Sequence, residues 1–376
     1  MTNATLRTYE TLADFAPDWV AIPGETISDL LEERGWSQAE LAARTGFSDK
    51  HVNLLLKGKA SITEETALKL ERVLGSTARF WLNLEAQYRE HLARNEAIHL
   101  LSAQVEWLQE LPLNDMIKFK WVKKCTDKSH QVFECLRYFG VASVEAWREQ
   151  YERPVAAYRA AEKLIRIPAS VSAWLRVGER AAEDIRCADY DKAKFEAALS
   201  EIRLLTTEKN SAVFLPKLTS ICAKAGVVVV FAPAPKGCPV SGATKWLGQK
   251  ALIMLSLRGK TDDKLWFTFF HEAGHIIKHG RRMIFLDILG EDGLNAEEEE
   301  EANTYARDSL IPKRNYDNFV SDGLFTKNTI ETFSRQQGVS PGIVLGRLQF
   351  DGYVQWRSLL SRDLKVSYTW NHEIES

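Results

Sequence analysis

The sequence predicts a multidomain, mainly helical chain with a small α+β domain in its C-terminal half. Three observations predict it. The chain has 376 residues, more than one hydrophobic core usually serves, which suggests two or three domains. Two short capped helices separated by a glycine-containing turn stand near the N-terminus. Far downstream, an apolar helix carries His271-Glu272-Ala273-Gly274-His275, preceded by two short strand-like runs. The expected layout is an N-terminal arm at 1–22, an all-α helix-turn-helix bundle at 23–95 and a helical connector at 96–210. A small sheet plus the H-E-x-x-H helix follows at 211–350, then a C-terminal tail at 351–376.

Composition narrows the class. Hydrophobic residues make up 45% of the chain, enough for folded cores. No apolar run is long enough to span a bilayer, and the N-terminus lacks a charged-then-apolar leader. The five cysteines, Cys125, Cys135, Cys187, Cys222 and Cys238, are widely spaced with no C-x-x-C pair. They indicate neither a disulfide framework nor a thiolate metal site. The expectation is a reduced, cytoplasmic protein with no membrane partner.

In the first bundle, Ser37-Gln38-Ala39-Glu40 is a capping-box pattern that opens a helix running to about Arg44. Thr45-Gly46-Phe47 makes a turn, and Ser48 caps a second helix from Asp49 to Leu56 that Gly58 ends. Helices at Glu25–Arg34 and Glu64–Leu74 flank the pair. Leu30, Leu31, Leu41, Val52, Leu55, Leu68 and Leu70 supply the apolar positions. A helix-turn-helix of this kind places its second helix in the major groove of DNA. That helix presents Ser48, Asp49, Lys50, His51 and Asn53 near its start, with Lys57 and Lys59 for phosphates. Charge is balanced over Pro23–Asn95, ten Lys and Arg against eleven Asp and Glu. It is basic only over Ser48–Lys59, three Lys against one Asp. A small basic footprint binds weakly as one copy, so a homodimer on a palindromic, double-stranded operator is expected.

Residues from about 96 to 210 read as helices rich in Ala, Glu, Arg and Trp, with breaks at Tyr151-Glu152-Arg153-Pro154 and Arg166-Ile167-Pro168-Ala169. They suit a connector, a sensor or a dimerisation region. From about 211 the pattern changes. Gly226 to Phe231 and Ala251 to Leu257 read as buried strands. Ser241 to Trp246 is a candidate cleft wall.

Asp262 to His279 reads as one buried helix. Thr261, Asp262 and Asp263 suit its start, and Lys278, His279 and Gly280 its end. His271 and His275 lie one turn apart on one face, a spacing that suits two ligands of one zinc ion, with Glu272 as general base. A third ligand is needed. Downstream, Asn295 is a candidate cap for a helix bearing Glu297 to Glu301. Ala302, Ala306 and Leu310 mark its inner stripe, and Glu299 shares their phase. Glu298 is second by the same criterion, while Glu300 and Glu301 point outward. Asn303, one turn on, suits a hydrogen-bond partner behind the ligands.

Two resemblances bear on function. Ile22-Pro23-Gly24-Glu25, Trp36-Ser37-Gln38-Ala39-Glu40-Leu41-Ala42, Gly58-Lys59, Ile62-Thr63, Thr66-Ala67-Leu68-Lys69-Leu70 and Phe80-Trp81-Leu82-Asn83-Leu84 resemble HigA-type antitoxins over about residues 20–95. This implies an Xre-class DNA-binding repressor that acts as a dimer and binds a toxin. Such antitoxins are commonly short chains, and this chain continues well beyond them. The H-E-x-G-H helix, the later E-x-E-A-N-x-[FY]-A run and Leu310-Ile311-Pro312 resemble the ImmA/IrrE metallopeptidases, over about residues 211–350. Ser241-Gly242-Ala243-Thr244, Ala251–Leu257 and Gly338-Val339-Ser340-Pro341 extend the likeness. It implies a minimal zincin-like fold that cleaves a repressor, with His271, His275 and Glu299 holding Zn2+ and Glu272 as base.

The combined expectation is a DNA-binding regulator fused to a zinc endopeptidase whose substrate is a repressor, a toxin or the chain itself. The rival expectation is an antitoxin-type repressor whose zincin-like part binds a ligand or partner without proteolysis.

Overall fold

The structure is a computed structural model that describes residues 20–152, 167–281, 284–288 and 296–369. Most of the expected N-terminal arm lies outside the described residues, as do Arg153, Pro154, Arg166 and the Asn295 cap. The chain divides into two compact units. One extends through Val105 and includes Asp127–Phe133; the other takes Glu106–Thr126 and the residues from Glu134 onward.

The first unit is all helical. Its helices are α1 (Pro23–Arg34), α2 (Gln38–Thr45), α3 (Asp49–Leu56), α4 (Glu64–Leu74) and α5 (Ala78–Leu100). Ser37, Ser48, Thr63 and Thr77 cap α2 to α5, each side-chain oxygen accepting a first-turn backbone N–H. Gly46 ends α2 in left-handed backbone at φ 73°, which a glycine adopts without a steric cost. Ile27, Leu41, Val52, Leu55, Leu70 and Trp81 form the core. Leu68, expected inside, is 49% exposed. The inner stripe of α4 is Thr66, Ala67, Leu70 and Leu74, and helical spacing turns position 68 away from it.

In the second unit the helices before the sheet are α6 (Leu113–Lys118), α7 (Lys128–Phe139, which begins in the first unit), α8 (Val144–Trp147), α9 (Ile167–Asp184), α10 (Lys192–Leu205) and α11 (Ser211–Lys224). The strands are β1 (Val227–Phe231), β2 (Val240–Leu247), β3 (Lys250–Leu255) and β4 (Ile284–Ile288), in spatial order β1-β3-β2-β4. β1 runs parallel to β3, with Val227 opposite Ala251, and β2 runs antiparallel to both β3 and β4. The sequence indicated β1 and β3 but neither β2 nor β4. β2 reads V-S-G-A-T-K-W-L, without sustained alternation, and its pairing on both sides makes it a strand.

β1 and, after Lys250, β3 are apolar without interruption because both of their faces are covered. On one face Val227, Val229, Ala251, Ile253 and Leu255 enter the main core, joined by Phe195, Leu199 and Ile202 of α10. On the other, Met254 lies against Gly178 of α9, so close that any Cβ at 178 would overlap its sulfur. The sequence read 96–210 as a connector, a sensor or a dimerisation region. Trp174 of α9 also donates from its ring N–H to the Ala232 carbonyl at 3.0 Å, so α9 is a layer of the sheet domain.

After the sheet come α12 (Asp262–Lys278), α13 (Ala296–Leu310), α14 (Lys313–Ser321), α15 (Lys327–Gln337), α16 (Pro341–Phe350) and α17 (Leu360–Leu364). α12 packs against β2, β3, α13 and α16, which leaves its side chains buried nearly all round. Its start differs from expectation. Thr261 occupies the cap position but its side chain caps nothing. Asp262 is buried instead, accepting from the Ser340 hydroxyl and, at 3.0 Å, from the Val366 N–H. Burial pushes its carboxyl above the usual range. Asp263 pairs with Lys365 at 2.6 Å. Leu364 and Tyr368 then enter the main core. Residues 351–369 are therefore tied to the start of α12, where the sequence suggested a tail. Among the described residues no helix is long and apolar enough to cross a membrane.

Asp262→Ala leaves the Ser340 hydroxyl and the Val366 N–H without their acceptor, at a cost of about 1–3 kcal/mol for a buried polar group. Chemical denaturation should show a loss of that size, and limited proteolysis should cut first near 365–369. A variant as stable as the parent and equally resistant would refute this account of the junction.

Candidate functional site

α12 brings His271, Glu272 and His275 into the interior, all three buried. α13 lies alongside it, and Gly274 sets how closely. A Cβ at 274 would stand 3.2 Å from the Ala302 Cα and from the Tyr305 ring, tighter than ordinary contacts. With glycine there, Glu299 reaches both histidines. Its two carboxylate oxygens lie 3.2 Å from His271 Nε2 and 3.5 Å from His275 Nε2. The ligand atoms of His271, His275 and Glu299 all fall within 4.8 Å of one another. Glu298 and Glu300 do not belong to this group among the described residues; Glu300 pairs with Arg307.

The other ring nitrogens are held from behind. His271 Nδ1 donates to Asn303 Oδ1 at 3.0 Å. His279, at the C-cap of α12, bonds Glu301 through Nε2 at 3.0 Å and His275 Nδ1 through its own Nδ1 at 3.0 Å. Glu301 accepts from His279 Nε2. Outer partners of this kind hold the rings of ligand histidines in place. The sequence placed His279 only at the end of the helix, and it took Glu301 as outward-facing. The helix crossing pairs them.

Charge follows the geometry. Burial pushes Glu299 upward, but hydrogen bonds from His271 and His275 and their charge outweigh it and hold the carboxyl at about 2. Burial pushes His275 down, towards the neutral form that binds metals.

Glu272 is positioned from the sheet. Thr244 of β2, itself buried, donates from its hydroxyl to Glu272 Oε2 at 2.6 Å. Two residues back, Gly242 leaves room for the same side chain, since a Cβ there would lie 2.5 Å from Glu272 Oε1 and from Thr268 Cγ2. Ser241–Trp246 was expected as a cleft wall, with Ser241–Thr244 part of the family likeness. Nothing local marks Thr244 or Gly242, because their roles come from the register of β2 against α12.

In the first unit, α3 presents the predicted DNA-facing residues with different exposure. Asp49, Lys50, Lys57 and Lys59 are exposed, and His51 and Asn53 are half-buried. The Ser48 hydroxyl accepts from the His51 N–H at 3.2 Å, so it serves as the cap. The His51 ring packs edge-on against Phe47 at 4.8 Å. Lys57 sits at the C-cap and Gly58 follows in left-handed backbone at φ 66°. Gly24 at the start of α1 lies against the Leu56 carbonyl, which leaves no room for a Cβ.

Comparison with known proteins bears on this first unit. A helix-turn-helix family model matches residues 27–81. The chain is similar to YddM of Escherichia coli (strain K12), described as an uncharacterized HTH-type transcriptional regulator. They are 40% identical over 63 residues, 17% of this chain and 67% of that protein. It is also similar to virulence-associated protein I of Dichelobacter nodosus, 32% identical over 75 residues, 20% of this chain and 69% of that one. Among solved structures, an addiction module antidote protein of a HigA family from Coxiella burnetii is 30% identical. That match covers 22% of this chain and 92% of the other, with a TM-score of 0.21.

Thr244→Val removes the hydroxyl donor to a buried carboxylate while keeping volume. It should destabilise the fold by about 1–3 kcal/mol, whereas Thr244→Ser, which keeps the donor, should lose less. Denaturant titration of the pair checks this; equal losses would show that the hydroxyl is not what matters.

Proposed function

The chain belongs to the Xre-type helix-turn-helix family through its N-terminal unit, and from that premise we propose a DNA-binding transcriptional regulator that also carries a zinc endopeptidase centre. The observation that carries the second half is the convergence of His271 Nε2, His275 Nε2 and the Glu299 carboxylate within 4.8 Å, with Glu272 between the two histidines. Two imidazoles and one carboxylate are the donor set of a common class of hydrolytic zinc site. Asn303 and the His279–Glu301 pair supply the outer hydrogen bonds such ligands need. The resemblance to ImmA/IrrE metallopeptidases agrees with this reading.

Zinc bound there supplies Lewis acidity, which lowers the pKa of water towards neutrality and polarises a carbonyl oxygen. His271, His275 and Glu299 are the residues that would hold it. Glu272 is the proton carrier: its carboxylate takes a proton from the attacking water and returns it to the leaving amine. Thr244 fixes one oxygen of that carboxylate, and Gly242 leaves space beside the other. The substrate is a regulatory protein, either a repressor, a toxin or this chain itself.

In the first unit, α3 enters the major groove of operator DNA. Lys50 and Asn53 face base edges, Asp49 and His51 flank them, and Lys57 and Lys59 hold phosphates. Ser48 keeps the helix start in shape. Two copies acting as a homodimer double a small basic footprint.

Metal analysis of the purified protein should find about one zinc per chain, and His271→Ala should lose it. His279→Ala should weaken zinc binding about 10- to 100-fold, as expected for an outer partner. Glu272→Gln should keep the metal and lose cleavage of a co-purified repressor, toxin or the chain itself. Protein that takes up no zinc would sink the peptidase reading. Separately, a footprint at the protein's own promoter should vanish in Lys50→Ala/Asn53→Ala. An unchanged footprint would remove α3 as the reading helix.

A further inference from the structure

A cavity of about 300 Å³ opens beside the histidine cluster, at the small end of ordinary ligand pockets. Its walls include Leu255, Leu257, Leu265, Phe267, Ile311 and Ile343. Phe350 and Trp356 also line it, yet they are 69% and 55% exposed, so aromatic surface extends from the cavity to solvent. Cations are set into this apolar surface. Arg258, Lys260, Lys264 and Arg347 all line it, and none has a carboxylate ion-pair partner among the described residues. Arg307 is matched by Glu300, and Asp263, the one lining carboxylate among the described residues, is matched by Lys365. The unmatched charge is therefore positive.

Arg347 is the built part of the site. Its Nη1 donates to the carbonyls of Arg307 at 3.2 Å and Ile311 at 2.7 Å, and its guanidinium lies 3.8 Å over the Tyr316 ring. Those contacts pin it. Its Nε–H is buried and has no hydrogen-bond partner among the described residues. Arg347 lines the cavity, and its pinned guanidinium has no carboxylate within ion-pair distance among the described residues, so it has the chemistry to receive an anion.

We propose that this cavity binds a small amphiphile with an apolar body and one carboxylate. The carboxylate meets Arg347, the exposed Lys260 and Lys264 attract it, and the body fills the space walled by Leu265, Phe267 and Ile343. A planar monoanion suits a guanidinium in this setting, where a phosphate dianion would have more hydration to lose. Two sources share this chemistry: a free medium-chain carboxylic acid, and the C-terminus of a peptide ending in an apolar residue. The cavity touches the cluster directly, because Asn303 lines it and also holds His271. Binding itself does not depend on the zinc reading.

The test titrates the full chain with octanoate and with N-acetyl-Leu-Phe, each against its primary amide, by calorimetry and tryptophan fluorescence. At least one acid should bind saturably at one site per chain, and its amide at least 10-fold more weakly. Stronger binding of octanoate assigns the site to a free acid, and stronger binding of the peptide to a chain terminus. Arg347→Gln should weaken the preferred acid at least 10-fold. Because that change also removes bonds to α13, Lys264→Gln, at an exposed position, serves beside it and should weaken binding severalfold with an unchanged circular dichroism spectrum. No saturable binding of either acid, or equal binding of acid and amide, overturns the proposal. So does an acid affinity unmoved by Lys264→Gln and by folded Arg347→Gln. No readout uses proteolysis, and metal-free protein serves equally, so this result stands apart from the fate of the peptidase reading.

Discussion

The second unit is organised around polar groups carried into its interior. α12 is buried on nearly every side, and it carries two histidines and a glutamate into that interior. Such groups cost several kcal/mol each unless neighbours meet them. The neighbours here come from three directions: β2 supplies Thr244, α13 supplies Glu299, Asn303 and Glu301, and α12 supplies His279. Two glycines make these approaches possible. Gly242 lets the strand come up to Glu272, and Gly274 lets α13 come up to the histidine face. The same packing that buries the polar groups also orients them, so stability and candidate chemistry rest on one set of contacts.

The start of α12 shows the same logic with a different outcome. Acids in the first turn of a helix ordinarily meet the dipole from solvent. Asp262 and Asp263 are buried there, and they bind Ser340, Lys365 and Val366. The polypeptide after α16 is thus drawn back across the helix start. That return also places Trp356 at the cavity beside the cluster. One helix therefore has a polar centre towards one end and a polar anchor at the other, with the cavity between Thr261 and Asn303 among its lining residues.

Much of this was legible in the sequence wherever the signal is local. Caps at Ser37 and Ser48, the bounds of α2 to α4, the extent of α12 and the phase of Glu299 all follow from neighbours within a turn or two. Helices carry their own periodicity, so a residue's face can be read from spacing alone. Signals failed where the partner is remote in sequence. β2 lacks alternation and becomes a strand only by pairing with β3 and β4. α9 looked like part of a connector because an apolar stripe does not say what covers it. Leu68 was placed inside by counting apolar residues, and the actual stripe of α4 leaves it out.

The sequence by itself determined the two short capped helices of the first unit and the one-turn spacing of His271 and His275. It also marked a glutamate helix whose inner phase falls on Glu299. Those are consequences of helix geometry and of capping, which act over a few residues. Only the tertiary structure decided that Thr244 and Gly242 serve Glu272, and that His279 and Glu301 stand behind His275. It alone showed that Asp262 anchors residues near 366 and that Arg347 lines a cavity beside the cluster. These pairings join positions tens to a hundred residues apart. They are chosen by which buried polar groups meet when strands and helices pack, and no local pattern in the chain records that choice.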